Sequence, residues 1–485
     1  MQNKIIKNVE RIAYYAIPII LFIIYFQTIF NNSIWLDEAF SMSMIQQNFG
    51  EMIYNTAIDV HPPLYYIILK IMVWIFKIFL GNSIWAAKVV SIIPIIILMI
   101  ISNTVIKKMY NKKTAFLFQI LILSVPQIMD YAIEIRMYTW GLLFVTLVYL
   151  YCIKWKRENK KIDIILMTVF AILAAYTHYF ALVPVVCIYL YILIETLIHR
   201  DKKQIKELIF SILACCILYL PWLIVWFKQV MIVKDSYWIG EITWEVFKLY
   251  FQFPFLIEEN IIFTYILVGI LILAIIILFI KRKDKESKYY LLGILIPIGT
   301  IMIGIIASKL LRPVFINRYI ICSLGVFWLA VAILLTKYCN KKYIFYILTI
   351  IVLIIGSANA YYIVKREKQY SQEINKTLSY IDTISDNVFI FDGNQIQRVV
   401  AYYYPETQTY LYNKEITDLT KKVYRQTHME IIENLEEIKN IEQEVYVFIL
   451  EPKTLDKLTS LGYQYEMCGI YKIESYTFSI YKIIK

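Results

Sequence analysis

Glycine and proline are scarce in this chain, 13 and 12 in 485 residues, and histidine is scarcer still, at four. The seven cysteines show neither CxxC nor zinc-type spacing. That excludes a zinc module or a dithiol redox centre, and Cys215 and Cys216, inside an apolar run, read as small core residues. No internal repeat, low-complexity tract or Gly/Ser linker is present. The first apolar run lacks a small-residue cleavage pattern after it, so it is expected to stay as a signal anchor. One more absence is local. From Trp35 to Tyr66 there is no Lys or Arg, although Asp37, Glu38, Glu51, Asp59 and His61 all fall there.

What fills the chain instead is apolar. Sixty per cent of it is hydrophobic, in runs near the roughly 20 residues that cross a hydrocarbon core of about 30 Å. Eleven such runs are expected to span: 12–30, 84–106, 114–130, 137–153, 162–178, 179–198, 208–227, 260–280, 289–308, 319–336 and 343–363. The net charge of +12 does not point to nucleic acid, because residues 1–364 hold 34 Lys/Arg against 19 Asp/Glu, whereas 365–485 hold 15 against 18. A basic excess confined to the membrane part sets orientation instead.

The run 64–80 is apolar but interrupted by Lys70 and Lys77. If it does not span, the N-terminus and the loops 107–113, 154–161, 200–207, 281–288 and 337–342 share one side and hold 24 of those 34 Lys/Arg, against 7 opposite. The positive-inside rule favours that arrangement. The run is therefore expected to lie as an interfacial helix in the outer leaflet, its lysines at headgroup level. A rival N-out chain of twelve spans would put 31–63 in the cytoplasm, and Lys4, Lys7 and Arg11 count against it. The chosen topology gathers 31–63, 130–138, 177–180, 228–258 and 309–319 on the outer face. Carboxylates, histidines and arginines then converge where a polar head group at the membrane surface is handled, and carboxylates beside a bilayer are costly unless used. Taken singly, Glu134 or His178 would be a solvated cap, and Arg312 or Arg318 a snorkelling cation.

The order Trp35-Leu36-Asp37-Glu38, then Asp59-Val60-His61-Pro62-Pro63-Leu64-Tyr65-Tyr66, then Gly81-Asn82-Ser83 with Lys88 and Ser91-Ile92-Ile93-Pro94, then Glu134-Ile135-Arg136-Met137-Tyr138 resembles a family. It is that of bacterial membrane glycosyltransferases related to protein O-mannosyltransferases and to the aminoarabinose transferases of lipid A. Specific motifs cover the first 180 residues or so, and the remainder matches by layout. The resemblance implies a GT-C-like polytopic α-helical membrane fold in the cytoplasmic membrane. It also implies inverting transfer of a sugar from a polyprenyl-phosphate donor to a lipid, glycan or protein acceptor outside that membrane.

Such chemistry needs a carboxylate to take the acceptor's proton and cations to offset charge on the departing phosphate. Asp37 is the candidate base and Glu38 its orienting neighbour. Asp59 and His61, held by the two following prolines, are candidates for binding sugar, acceptor or phosphate. Lys88, Glu134, Arg136, His178, Arg312 and Arg318 complete the candidate substrate set, the arginines because guanidinium forks match phosphate. Lys88 departs from the family's usual arginine, which puts a bidentate phosphate role there in doubt. In the loop 228–258, Trp238 and Glu241 are candidates for a mobile lid, against the plainer reading of an aromatic interfacial belt. A divalent cation, Mg²⁺ or Mn²⁺, could sit on the carboxylate-rich loop, although relatives often need none.

After residue 364 the pattern becomes that of a soluble domain. The expected division is 1–364, the transmembrane transferase domain with its catalytic loop at 31–83, and 365–485, a small extracytoplasmic α/β or α+β domain. It reads as a helix leaving the membrane, strands at 387–392, 409–413, 444–450, 467–473 and 476–484, and a helical stretch near 430–440. It holds no nucleophile elbow, P-loop or Rossmann glycine set. Asp392, His428 and Tyr402-Tyr403-Tyr404-Pro405-Glu406 are its candidates for ligand contact, against a plain surface role. Two other classes remain at this level: a transporter or flippase of lipid-linked or small solutes, and an inactive lipid-binding relative. The former is disfavoured by the absence of matching halves.

Overall fold

The computed structural model describes residues 2–235, 239–257, 260–338 and 341–484. Among these, nine helices are long and apolar enough to cross a membrane, from Asn8–Ile29 to Lys342–Asp382. The chain is a multi-pass membrane protein. Two of the eleven expected spans differ in form. The run 114–130 is broken into Lys112–Ser124 and Pro126–Ile133, bent by 66°, because Pro126 lacks the N–H that would carry the helix through and instead opens a new one. The run 162–178 forms the helix Lys161–Thr177, at 17 residues shorter than the other spans.

The described residues form two compact units. The first comprises Met1–Gln27, Val60–Tyr65 and Lys88–Val364. At its core lie Tyr138–Glu158, 89% buried along its apolar window, and Asn317–Tyr338, whose apolar window is wholly buried. The scarce glycines are used at this crossing. A Cβ at Gly325 would collide with the Thr146 hydroxyl, and one at Gly141 would meet Cys322 Sγ at 2.6 Å, so small residues let the two backbones close up.

One end of this unit is tied by ions. Lys156 pairs with Glu195 at 2.6 Å, Arg157 pairs with Glu286, and Lys337 reaches Glu286 at 2.7 Å and Asp284 at 3.2 Å. Lys342 pairs with Glu10 at 2.6 Å. The basic loops 154–161, 281–288 and 337–342 and the N-terminal helix therefore meet at a common end.

The second unit comprises Thr28–Asp59, Tyr66–Ala87 and Lys365–Lys485. Its mixed sheet has strands β1 (Val388–Phe391), β2 (Gln408–Tyr412), β3 (His428–Ile432), β4 (Val445–Ile449), β5 (Gln464–Ile473) and β6 (Tyr476–Ile484), in the order β3-β2-β1-β4-β6-β5. The pairs β1·β2, β2·β3 and β1·β4 are parallel, and β6 runs antiparallel to β4 and β5. Val388, Ile390, Val445, Val447 and Leu458 pack one face, and Phe389, Phe391, Phe448 and Phe478 stack in a row. The helical stretch expected near 430–440 is a correction. Residues 428–432 form β3, and only Leu435–Asn440 turns, as a 3₁₀ segment.

The first loop contributes helices Leu36–Gln46 and Phe49–Ile58 to this unit, where they pack on Asn394–Tyr403 and Asp418–Val423. Polar ties fix them. Asn31 donates to Glu367 at 2.8 Å, Tyr403 to the Asn32 carbonyl, and Gln47 to the carbonyls of Lys422 and Val423 at 3.1 Å each. Arg425 pairs with Glu51. The helix Leu64–Leu80 buries Tyr65, Tyr66, Leu69 and Val73 and exposes Trp74, Ile78 and Phe79. Its Lys70, expected at headgroup level, turns inward and donates to the carbonyls of Ile45, at 2.6 Å, and Gln47. The orphan acceptors and negative dipole end of Leu36–Gln46 hold that cation.

Candidate active site

In the second unit the acidic pair opens the helix Leu36–Gln46. Glu38 is 2% exposed, and its Oε2 accepts the Trp35 backbone N–H at 3.1 Å. That is the side-chain half of a capping box, so Glu38 is spent on holding the turn. Asp37, one residue earlier, is half-buried. Arg398, from the helix Asn394–Tyr403, interacts electrostatically with Asp37 and Tyr424. Burial pulls the Arg398 guanidinium below its ordinary value, and the charges of Tyr424 and Asp37 act against that. Asp59 closes the helix Phe49–Ile58, its N–H on the Asn55 carbonyl at 3.0 Å, and is 8% exposed.

In the first unit, His61, Arg136, His178 and Arg318 converge. Arg136 sits in the turn before Tyr138–Glu158, 3% exposed, and reaches Nε2 of His61 at 3.4 Å. The His61 and His178 rings lie 6.0 Å apart. His178 caps the helix Tyr179–His199, and its Nδ1 accepts the Phe180 N–H at 3.1 Å. The ring proton therefore resides on Nε2. Burial, then the neighbouring His61, Arg136 and Arg318, holds its pKa well below the usual 6.5. Arg318 and Arg136 both approach the ring of Tyr138, at 5.8 and 6.0 Å. Phe180 stacks on Tyr319 at 4.8 Å and completes the wall.

This cluster opens into a cleft of about 510 Å³. Its polar end carries His61, His178 and Tyr319, and its long wall is Val186, Leu223, Trp226, Val230, Ile303 and Val314. Among the described residues no Asp, Glu, Lys or Arg lines it.

The other expected residues are less concentrated. Lys88 is 3% exposed within the helix Ser83–Ile101, and Glu134 is half-buried at the end of Pro126–Ile133. Arg312 stands apart, with no hydrogen bond, ion pair or ring contact among the described residues, because it follows the last turn of Ser287–Leu310 and not the turn that carries Arg318. Glu241 is exposed, with no side-chain hydrogen bond or ion pair among the described residues, and Trp238 lies outside the described residues. Asp392 is spent locally. Its carboxylate accepts Leu450 N–H at 2.8 Å, Glu451 N–H at 2.9 Å and the Thr454 hydroxyl at 2.9 Å. His428 is exposed and 3.9 Å from Glu406. Among the described residues no group of three or more His, Cys, Asp or Glu side chains is assembled for a metal ion.

Residues 60–226 match the family described as dolichyl-phosphate-mannose-protein mannosyltransferase. No curated protein matches the chain. The fold matches the crystal structure of ArnT from Cupriavidus metallidurans in the apo state, with TM-score 0.65 and 9% identity over 98% of each chain. The same protein bound to undecaprenyl phosphate matches with TM-score 0.65 and 9% identity over 97% of this chain and 98% of that one. The chain is a glycosyltransferase of the GT-C fold.

A GT-C glycosyltransferase must deprotonate an acceptor and release a charged leaving group. The second unit of this one offers a carboxylate held on a capped helix turn. The first offers two guanidinium groups and two imidazoles at the head of an apolar cleft. Sequence reasoning missed Arg398 and Tyr424, which carried no local signal, and passed over Tyr138 and Tyr319, which stood inside motifs already singled out.

Proposed function

We propose that the chain moves a sugar from a polyprenyl-phosphate carrier to an acceptor hydroxyl at the outer face of the cytoplasmic membrane, with inversion at the anomeric carbon. The observation that carries this is the cleft of the first unit, whose imidazole end, backed by Arg136 on His61, adjoins a long apolar wall. A lipid phosphate has that polarity: a dianionic head suited to guanidinium forks and a hydrocarbon tail. The undecaprenyl phosphate in the ArnT crystal structure supports the carrier class. The meeting of the basic loops at one end of the first unit supports the orientation, since such loops stay cytoplasmic.

In the proposed reaction the acceptor oxygen attacks the anomeric carbon as the bond to the carrier phosphate breaks. Asp37 takes the hydroxyl proton, and the polyprenyl phosphate leaves with both electrons of the broken bond. Glu38, committed to its cap, orients the turn. Arg136 and Arg318 offset the charge that grows on the phosphate, with Lys88 as a further cation, His61 and His178 shape the cleft, and Asp59 is proposed to bind sugar or acceptor.

The test is transfer from a polyprenyl-phosphate sugar in proteoliposomes, with Asp37→Asn beside the wild type. The variant is expected to lose about 10²- to 10⁴-fold in kcat while still binding the carrier. Undiminished turnover would refute the base assignment.

A further inference from the structure

We infer that a pocket of the second unit, on the helix Leu64–Leu80, holds the headgroup of an anionic phospholipid that is not a substrate of the transfer. The pocket measures about 600 Å³ and lies between that helix and Leu36–Gln46, with Phe49, Ser83 and Tyr402 completing its wall. Lys70, Trp74 and Lys77 line it at steps of four and three, so they share one face of their helix. Met42, Ile45 and Gln46 line it from Leu36–Gln46. Among the described residues no Asp or Glu lines it.

The protein leaves both ammonium groups with donors to spare. Lys70 gives two of its three N–H donors to the carbonyls of Ile45, at 2.6 Å, and Gln47, and lies 5.4 Å from the centre of the Phe49 ring. Its third donor, and all three of Lys77, meet no acceptor among the described residues. Two cations that repel one another across a pocket free of carboxylates are matched by an anion.

The apolar surroundings make that anion the head of an amphiphile. Trp74 is 72% exposed, and Ile78 and Phe79 beyond it are 69% and 79% exposed. An exposed apolar face edged by lysines is the pattern of a helix lying in a headgroup layer. A phosphate at Lys70 and Lys77 leaves its acyl chains along that face. A zwitterionic headgroup fits worse, because its own cation meets two others.

Helix geometry separates this lipid from the reacting groups. At about 100° and 1.5 Å per residue, Met42, Ile45 and Gln46 stand about 140°, 80° and 180° around the helix from Asp37, and roughly 8 to 14 Å along it. The pocket is thus centred on another side of the helix than the proposed base. Its lipid fastens Leu64–Leu80 to the helix that carries the acidic turn and takes no sugar.

Photolabelling of the full chain in detergent, with phosphatidylglycerol that carries a diazirine beside its glycerol and with no sugar donor present, tests this apart from the donor reading. Adducts mapped by peptide mass spectrometry are expected within residues 42–49 and 70–83. Unlabelled phosphatidylglycerol is expected to displace them at about one-tenth of the concentration that phosphatidylcholine needs. Lys77→Gln, at an exposed position, is expected to bring the two lipids within about twofold, and Lys77→Arg to keep the preference. Lys309→Gln, an exposed lysine of the first unit, removes the same charge and is expected to change nothing. Equal competition by the two lipids, adducts only elsewhere, a preference that survives Lys77→Gln, or an equal loss in Lys309→Gln would overturn the site. Sugar found on the phosphatidylglycerol once donor is supplied would make the lipid an acceptor and overturn its role as a fastener.

Discussion

The guanidinium of Arg136 lies 3.4 Å from Nε2 of His61. Guanidinium has no acceptor, so the imidazole nitrogen must accept, and the His61 proton resides on Nδ1. His178, 6.0 Å away between ring centroids, takes the opposite tautomer because the Phe180 N–H occupies its Nδ1. Two neighbouring imidazoles thus present different faces to the cleft. Replacing Arg136 by Lys keeps the charge but loses the fork that orients His61. Transfer measured as kcat/KM is expected to fall about 10- to 100-fold, and His61→Ala added to Arg136→Lys is expected to cost less than the sum of the two. Additive losses would show that the two side chains act separately.

His178 makes stability depend on acid. Its pKa is held well below 6.5 in the folded chain, first by burial and then by His61, Arg136 and Arg318. The unfolded chain takes up the proton near 6.5 and the folded chain does not. Stability is therefore full above about pH 6.5 and declines as pH falls below it, by about 1 kcal/mol one unit lower. His178→Asn keeps an acceptor for the Phe180 N–H and removes the titration. Thermal unfolding in detergent at pH 7.5 and 5.5 is expected to show a larger fall in Tm for the wild type than for this variant. Parallel falls would contradict the assignment.

Arg398 is the cation of the second unit that feels Asp37. Without it the acidic turn loses a neighbouring positive charge, so Arg398→Met is expected to lower transfer, measured as kcat/KM, by about tenfold. Arg398→Lys is expected to restore most of it. Equal losses in the Met and Lys variants would show that the charge is not what matters.

Much of the fold was legible in apolar periodicity, because a span must be apolar over its whole length and loops need not be. Val125-Pro126 shows where periodicity stops informing: the apolar run passes through the proline, and the backbone bends there by 66°. Strand β3 was read as helix because residues 428–432 have exposed positions on both sides and no clean alternation. Lys70 looked like a snorkelling cation, since sequence does not reveal that a helix end lies within its reach. For the candidate site, Asp37, His61, Arg136 and His178 stood in motifs or at span ends. Arg398 did not: it approaches Asp37 only because the helix Asn394–Tyr403 packs on Leu36–Gln46, a pairing no local pattern encodes. The same packing draws the first loop into a compact unit with the C-terminal sheet, where the sequence had grouped it with the spans.

At the basic end of the first unit, Glu195 is 8% exposed and accepts an ion pair from Lys156 at 2.6 Å. Lys156, its side chain 7% exposed, also donates to Gln204 at 2.6 Å and Thr196 at 3.3 Å. Removing the carboxylate alone strands a buried ammonium, and the cost exceeds the worth of the pair, because desolvation is no longer offset. Glu195→Ala is therefore expected to destabilise the protein by about 3–5 kcal/mol. Glu195→Leu combined with Lys156→Met leaves no buried ammonium to strand, because Lys288, the other lysine on Glu195, is about a third exposed and is hydrated in its place, and is expected to recover most of that loss. Melting curves in detergent would order the three proteins. Because the pair belongs to the end opposite the His/Arg cluster, turnover per folded molecule in the double variant should match the wild type. A double variant as unstable as Glu195→Ala would mean that the ion pair itself, and not the stranded charge, holds these helix ends together.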